Sequence, residues 1–200
     1  MDWDRLEGVT RELLRRCDQP ELRVAFLDAD NWLSTPCVVN DRWLVKVVTE
    51  QNSLLHAVLT TGRNIGAFSS GREGFFEYVA DPVEMAEREL EATRWMREIG
   101  VNVPEPLEAF EYEGLGVLVV EYLPEFRTLN ELDAAEVERY APDLFESLAL
   151  VHGDLRAENG LVARERLYLV DATSVRDDED AVGHARACTT SRARSGRSNR

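Results

Sequence analysis

The chain has 200 residues and a mass of 22.7 kDa, enough for one generous domain or two small lobes. Its 44% hydrophobic content allows a core and excludes wholesale disorder. The formal net charge of −15 divides into −20 over the first 180 residues and +5 over residues 181–200, so unspecific binding to nucleic acid or to an anionic membrane is not expected.

The first part of the chain predicts one helix followed by several strands. Apolar residues at helical spacing indicate a helix over residues 3–14, and Pro20 closes that segment. Strands are predicted where β-branched and aromatic residues concentrate, at residues 22–27, 37–39 and 42–48. A short helix at 54–59 and a flexible, glycine-rich loop at 62–74 are expected next.

The strongest helix signal begins at Asp81-Pro82, an N-cap followed by an N1 proline, and ends at Gly100. After an extended link, two strands are predicted at 107–112 and 115–120, then a helix from 133 to about 150, and finally a hairpin. This order predicts an α+β chain with a strand-rich N-lobe and a helical C-lobe, joined at residues 121–124.

The cysteines and the apolar runs bear on the cellular compartment. Cys17, Cys37 and Cys188 are far apart and form no Cys-x-x-Cys pair, so neither a disulfide framework nor a zinc ribbon is expected. No apolar run is long enough to span a membrane, and the first residues lack the regions of a signal peptide. A cytoplasmic location is therefore predicted. The acid-rich surface, with 22 arginines and a single lysine, suggests a high-salt cytoplasm as a hypothesis.

The most informative segment is HGDLRAEN, residues 152–159, which reads H-x-D-L-x-x-x-N as in the catalytic loop of protein kinases and their relatives. Asp171 follows at the end of an apolar strand, beyond a hairpin. Phosphoryl transfer needs one carboxylate near the incoming hydroxyl, and an amide oxygen and a second carboxylate that hold Mg²⁺ on the phosphates. Asp154 is better placed than His152 to accept the proton, and the hairpin is expected to bring Asn159 close to Asp171.

Upstream, a lysine and an acidic helix complete the pattern. Lys46 is the only lysine and lies within an apolar strand, at the V-K-V position where a cation would meet the α- and β-phosphates. A glutamate of the next helix could pair with it, although apolar spacing alone does not choose among Glu87, Glu89 and Glu91. Taken singly, a half-buried lysine is more often a snorkelling side chain, and an acidic helix is more often a solvated face.

The strand at 117–120 runs into Glu121-Tyr122-Leu123, which is typical of a hinge whose backbone groups bind an adenine edge. Strand lysine, helix glutamate, hinge, D-x₄-N, hairpin and aspartate then follow one another in the order that a kinase fold requires. That succession favours phosphoryl transfer over the simpler interpretation of each residue.

Two segments carry a resemblance to the RIO-type atypical kinases of the protein-kinase-like superfamily. AERELEATRWMREIGVNVPEP resembles their helix-plus-proline segment, and LYLVDATSVRDDEDAV resembles the aspartate-containing strand after their catalytic loop. The resemblance covers about residues 21–182. It implies an ATP-dependent serine/threonine kinase or ATPase that uses Mg²⁺ or Mn²⁺. It also implies a protein acceptor or a precursor of the small ribosomal subunit as partner.

The same resemblance assigns roles to individual residues. Asp154 would be the catalytic base, and Asn159 and Asp171 the metal ligands. Lys46 would clamp the phosphates, with Glu89 as its partner. Aminoglycoside-type phosphotransferases share the His-Gly-Asp-x₄-Asn pattern, so a small-molecule phosphotransferase is the alternative enzyme.

The chain also departs from the family pattern. LDADNWLSTP, between the first two strands, has no glycine where a phosphate-cradling loop is expected, and the hydroxyls of Ser34 and Thr35 are the candidate substitutes. The expected organisation is an N-terminal helix (1–20), an N-lobe with hinge (21–123), a shortened C-lobe (124–182) and a basic disordered tail (183–200). These departures leave open a catalytically impaired kinase fold that serves as a binding module.

Overall fold

Residues 3–21, 23–27, 34–69, 79–148 and 159–170 are described by the computed structural model of the chain. The chain divides into two compact units. One consists of Met1–Glu91 and Glu105–Pro124, and the other consists of Ala92–Pro104 and Glu125–Arg200. The predictions for Asp154, Asp171, residues 70–74 and the tail at 183–200 lie outside the described residues.

Five antiparallel strands form the sheet of the first unit, in the order β1-β2-β3-β5-β4. They are β1 (Val24–Phe26), β2 (Thr35–Val39), β3 (Trp43–Val48), β4 (Pro106–Tyr112) and β5 (Leu115–Glu121). The β4–β5 hairpin closes with a two-residue turn at Glu113-Gly114, and the β2–β3 hairpin closes with the three residues 40–42. Asn40, Asp41, Glu113 and Gly114 all have positive φ, which matches the twist of the flanking strands. The predicted strands are confirmed, although β1 is shorter than the run at 22–27.

Helices cover both faces of this sheet, and the side chains of β3 pack alternately against the helix on one face and the helix on the other. Alternate side chains of β3, those of Trp43, Val45 and Val47, belong to one apolar cluster with residues of α1 (Trp3–Arg16). On the opposite face, Leu44 packs against a cluster that joins α3 (Pro82–Glu98) to β5. Because side chains alternate along a strand, Lys46 shares the α3 side with Leu44.

The predicted helix at residues 3–14 is confirmed as α1, and polar contacts fasten its end to β4. The Arg16 guanidinium lies 4.2 Å from the centroid of the Phe110 ring and 3.2 Å from Glu108 Oε2. On α1 itself, hydrogen bonds from Arg15 and Arg16 lower the pKa of Glu12 to about 2. Cys37, in the cluster under α1, is a free thiol whose pKa is raised to about 11 by burial.

Helix α3 is confirmed with both of its predicted ends. Asp81 Oδ1 accepts the backbone N–H groups of Val83 and Glu84, each at 2.9 Å, as an N-cap does. At the other end Gly100 adopts a φ of +94°, and the N–H of Val101 reaches the carbonyl of Met96 at 2.9 Å. This is a Schellman ending, which only a residue tolerant of positive φ permits at low cost.

The prediction of a flexible loop at 62–74 is wrong over its first part. Helix α2 runs from Glu50 to Ser69, whereas the sequence pattern indicated a helix only over residues 54–59. Thr49 caps it, because Thr49 Oγ1 accepts the Asn52 N–H at 3.3 Å while the Asn52 side chain accepts the Thr49 N–H at 2.9 Å. A glycine within a helix costs only about 1 kcal/mol, so Gly62 does not end the helix.

In its described residues, the second unit contains the last turns of α3, a three-stranded sheet in the order β6-β7-β8 and a further long helix. The strands are β6 (Arg127–Thr128), β7 (Gly160–Ala163) and β8 (Arg166–Leu169), and the helix is α4 (Ala134–Leu148), preceded by a 3₁₀ turn at Leu129–Glu131. The helix from 133 and the final hairpin are thus confirmed. Strand β6 was not predicted, because two residues are too few to show an alternating pattern. None of the helices that the structure describes is long and apolar enough to cross a membrane.

Gly116 of β5 provides a test of the contact between the sheet and α3. A Cβ at this position would collide with the carbonyl of Pro82 in the first turn of α3, whereas a Cβ at Gly62 would meet open space. We expect Gly116→Ala to lower the free energy of unfolding by roughly 1–3 kcal/mol. The matched change Gly62→Ala should leave it equal or raise it by up to about 1 kcal/mol. Urea unfolding of both variants measures this, and equal midpoints would contradict the close contact.

Candidate active site

The centre of the candidate site is a buried ion pair between β3 and α3. Lys46 Nζ lies 2.7 Å from Glu89 Oε1. Lys46 is 7% exposed and Glu89 is 8% exposed, so both charges are largely removed from water. Within β3, Lys46 stands opposite Leu118 of β5 and Pro36 of β2, which places its side chain at the middle of the sheet.

The structure also selects one glutamate of α3. Glu87 and Glu91 are exposed to solvent, whereas Glu89 lies on the face that buries Ala86 and Leu90 against the sheet. Helical spacing puts residues i and i+3 on one side of a helix, which groups Glu89 with Ala86 and separates it from its acidic neighbours. The tertiary contact thus removes the ambiguity that the sequence pattern left.

A buried ion pair is a weak source of stability, because taking two charges out of water offsets most of their attraction. An apolar pair of similar volume would stabilise this position at least as well. The chain carries its only lysine here although it uses arginine at 22 other positions. The ammonium of lysine is a compact point charge with three N–H donors, whereas the guanidinium of arginine is larger and planar, so the two cations are not interchangeable at a buried position.

The hinge segment is fixed to the sheet by its first two N–H groups. The Glu121 N–H donates to the carbonyl of Glu105 at 2.8 Å, and the Tyr122 N–H donates to the carbonyl of Arg42 at 2.9 Å. Leu123 is buried and follows the last of these bonds. In the part of the chain that the structure describes, the first backbone N–H of the hinge not committed to the sheet is that of Leu123.

Glu105 is a positioning residue that the sequence pattern did not single out. Its N–H donates to Glu121 Oε2 at 3.3 Å and its carbonyl accepts the Glu121 N–H, so the two residues bind each other twice. Pro104 and Pro106 flank it and carry no N–H. The sequence carries a signal for this role, because Glu105 lies between two prolines and is the one residue of the three that can donate a backbone hydrogen bond.

Ser34 and Asn159 are the other predicted site residues within the described part. Ser34 is buried directly before β2, while residues 28–33 of the glycine-free loop lie outside the described residues. Asn159 is 8% exposed in the second unit, and its carbonyl accepts the Val170 N–H at 3.0 Å. That bond continues the β7–β8 register by one pair beyond Gly160 and Leu169.

Asp154 and Asp171 lie outside the described residues, so the structure places neither. Among the residues that it does place, no group of three or more His, Cys, Asp or Glu side chains could hold a metal ion. Of the predicted site residues, the structure therefore describes Lys46, Glu89, Ser34 and the hinge in the first unit and, separately, Asn159 in the second.

The family follows from comparison with known domains. The model of the RIO domain matches residues 78–182, just over half of the chain. The chain therefore belongs to the RIO domain family, which consists of atypical kinases and ATPases of the protein-kinase-like superfamily. Its five-stranded sheet with accompanying helices is consistent with the α+β kinase-like fold of that family.

Among solved structures, two crystal structures of WbdD are similar to the chain, each at 16% sequence identity. One match has a TM-score of 0.48 and covers 80% of this chain and 34% of WbdD. The other, with monomeric WbdD, has a TM-score of 0.47 and covers 88% of this chain and 42% of that one. The chain thus spans less than half the length of the structures it resembles. Comparison with curated proteins gives no significant match.

Removing one member of the ion pair tests its energetic character. We expect Glu89→Ala to destabilise the fold by about 3 kcal/mol, because it takes the carboxylate away from a buried ammonium. The double change Lys46→Met with Glu89→Leu should recover most of that loss, since it removes both charges. Chemical unfolding measures all variants. Glu87→Ala and Glu91→Ala are the matched controls, expected within about 0.5 kcal/mol of wild type. A Glu89→Ala variant as stable as these controls would show that the pair is not buried.

Proposed function

We propose that this chain binds ATP with a divalent cation and transfers its terminal phosphoryl group, as a RIO-type serine/threonine kinase or as an ATPase. The observation that carries the proposal is the buried contact of Lys46 with Glu89 at 2.7 Å. In phosphoryl-transfer enzymes of this superfamily, a strand lysine paired with a helix glutamate orients the nucleotide phosphates. Residues 21–123 would form the nucleotide-binding lobe with its hinge, and residues 124–182 the shortened catalytic lobe.

Binding of the nucleotide is assigned to residues of the first unit. Lys46 would donate to the α- and β-phosphates while Glu89 holds its ammonium in place. The carbonyl of Glu121 and the N–H of Leu123 would meet the adenine edge. The commitment of the Glu121 and Tyr122 N–H groups to the sheet supports this choice of hinge atoms. Ser34, buried directly before β2, would offer its hydroxyl to a phosphate in place of glycine N–H groups.

Chemistry at the phosphate is assigned to Asp154, Asn159 and Asp171. Asp154 would accept the proton of the attacking hydroxyl, and Asn159 with Asp171 would hold Mg²⁺ or Mn²⁺. An amide oxygen and a carboxylate are the hard oxygen ligands that such cations prefer, so the residues fit the ion. When bound, the cation neutralises charge on the phosphoryl group being transferred. The hydrogen bond from Val170, the residue before Asp171, to the Asn159 carbonyl supports a joint role for the two side chains.

The acceptor is proposed to be a protein hydroxyl or a component of a small ribosomal subunit precursor in the cytoplasm, and water where the chain works as an ATPase. The glycine-free loop LDADNWLSTP favours a second candidate, a kinase fold that binds partners without turnover. The two candidates differ in whether nucleotide binding depends on a metal ion.

A thermal-shift measurement with ATP and Mg²⁺, set against ATP and EDTA, separates them. At about one hundred times the dissociation constant, ligand stabilises a protein by about 2.7 kcal/mol, which raises Tm by several degrees. We expect such a shift only with Mg²⁺ or Mn²⁺ present. The double variant Lys46→Met with Glu89→Leu, which keeps the fold, should lose it. An equal Tm with Mg²⁺ and with EDTA would favour the binding module.

Substitution of the two aspartates tests their different roles. Asp154→Ala should abolish ATP hydrolysis or labelling of an acceptor while the ATP-dependent shift in Tm stays, because the base does not hold the nucleotide. Asp171→Ala should weaken metal-dependent nucleotide binding as well as turnover. Turnover is followed by release or transfer of labelled phosphate. Asp133→Asn serves as a control with unchanged turnover, because Asp133 is exposed and an asparagine keeps an oxygen that can accept the Glu136 N–H at the start of α4. Wild-type turnover in both aspartate variants would show the assignment to be wrong.

A further inference from the structure

Helix α2 (Glu50–Ser69) places polar residues toward the protein. Ser53 and Thr60, seven residues apart on one face, are 1% and 4% exposed. Asn64, one turn further along the same face, is half-buried. An ordinary amphipathic helix of a globular unit turns its apolar side chains inward and its polar ones outward. Helix α2 has the opposite arrangement.

Four large apolar side chains of α2 lie in solvent along one stripe. The α2 stripe consists of Leu54, Val58, Ile65 and Phe68, which are 65%, 61%, 65% and 87% exposed. Their spacing of four, seven and three residues keeps them on one side of a helix with 3.6 residues per turn. Thr61 lies at the middle of the stripe and is exposed as well.

The extent of this surface is large for a chain of this size. From their exposed fractions, the four side chains present roughly 500 Å² of mainly apolar area, near the upper range for the largest patch on a monomer. Two such surfaces together would bury about 1,000 Å², the lower limit for a specific interface. A second apolar surface of the same size would therefore bury just enough area with the stripe to form a specific interface.

We propose that the occupant of the α2 stripe is a second copy of this chain, whose α2 packs antiparallel to the first about a two-fold axis near Thr61. The stripe is nearly symmetric about its centre, with large apolar residues at close to equal distances on either side of Thr61: Leu54 would face Phe68 of the other copy, and Val58 would face Ile65. The Leu54–Phe68 contact and the Val58–Ile65 contact would each occur twice, once on either side of the two-fold axis, as an isologous interface requires. The small Thr61 side chain at the axis lets the two helices approach closely.

The charge pattern agrees with a second copy and disagrees with a membrane. Glu50 and Arg63 are the only charged residues of α2, so self-pairing brings few like charges together at the stripe. An interfacial membrane helix needs a polar face rich in lysine and arginine, which α2 lacks. The net charge of −15 would also repel an anionic bilayer. Since two such chains repel each other at long range, dimerisation should strengthen as salt is added.

Sedimentation velocity of the full chain, over a range of concentrations and of KCl, measures the association. We expect a dimer that Leu54→Glu or Val58→Glu weakens by at least about tenfold, because each change puts an unpaired charge into an apolar contact. Leu59→Glu is the matched control. Leu59 is 51% exposed on the same helix but lies about 100° around it from Val58, so its replacement should leave the association unchanged. Circular dichroism shows whether each variant keeps its helices.

A mixing experiment tests the antiparallel register itself. Val58→Glu and Ile65→Arg should each impair self-association, whereas an equimolar mixture should dimerise again, since the new glutamate faces the new arginine and the second Val58–Ile65 contact is intact. Three results would overturn the proposal: a wild-type monomer at all concentrations, a control as damaging as the stripe variants, or a mixture that stays monomeric. Co-sedimentation of the monomer with phosphatidylcholine vesicles would assign the stripe to a lipid surface instead.

Discussion

Burial of β3 on both faces is the constraint on which the rest of the first unit depends. A central strand covered by α1 on one side and by α3 on the other has room only for apolar side chains, and Lys46 is the exception. A lone ammonium at this depth would lose its charge or disrupt the packing. Glu89, 2.7 Å away, meets that demand. Lys46 Nζ and Glu89 Oε1 can meet only if the strand register is correct and α3 packs closely on the sheet at the right angle, as its contact with Gly116 shows.

The same sheet positions the hinge. Strand β5 pairs with β3 from Gly116 to Glu121, so Tyr122, the residue after the last pair, begins at a defined distance from Lys46. Glu105 and Arg42 then accept the next two N–H groups of the chain, which holds the backbone up to Leu123. In the proposed function, a lysine and a hinge fixed to one sheet would bind two ends of one nucleotide, and neither would have to be ordered when the ligand arrives.

Most of the secondary structure could be predicted from local patterns, and the failures have physical causes. Helix α3 carries its own start and stop signals in Asp81-Pro82 and Gly100, and the β4–β5 hairpin carries its turn in Glu113-Gly114. The local pattern predicts only the middle of helix α2, because glycines usually interrupt helices and because its apolar face turns outward, away from a core. Strand β6 exists only through its pairing with β7, which no local signal records.

The sequence by itself determined the family, the order of the elements and the identity of the lone lysine, because motifs and periodicity are properties of neighbouring residues. It also indicated that Asn159 belongs beside a hairpin. Apolar spacing left three glutamates as partners for Lys46 and the resemblance favoured Glu89, but only the tertiary structure shows the contact itself, since it depends on which face of α3 lies against a distant strand. The tertiary structure alone also shows the two hydrogen bonds between Glu105 and Glu121 and the exposed apolar stripe of α2, because contacts and solvent exposure are properties of the packed chain.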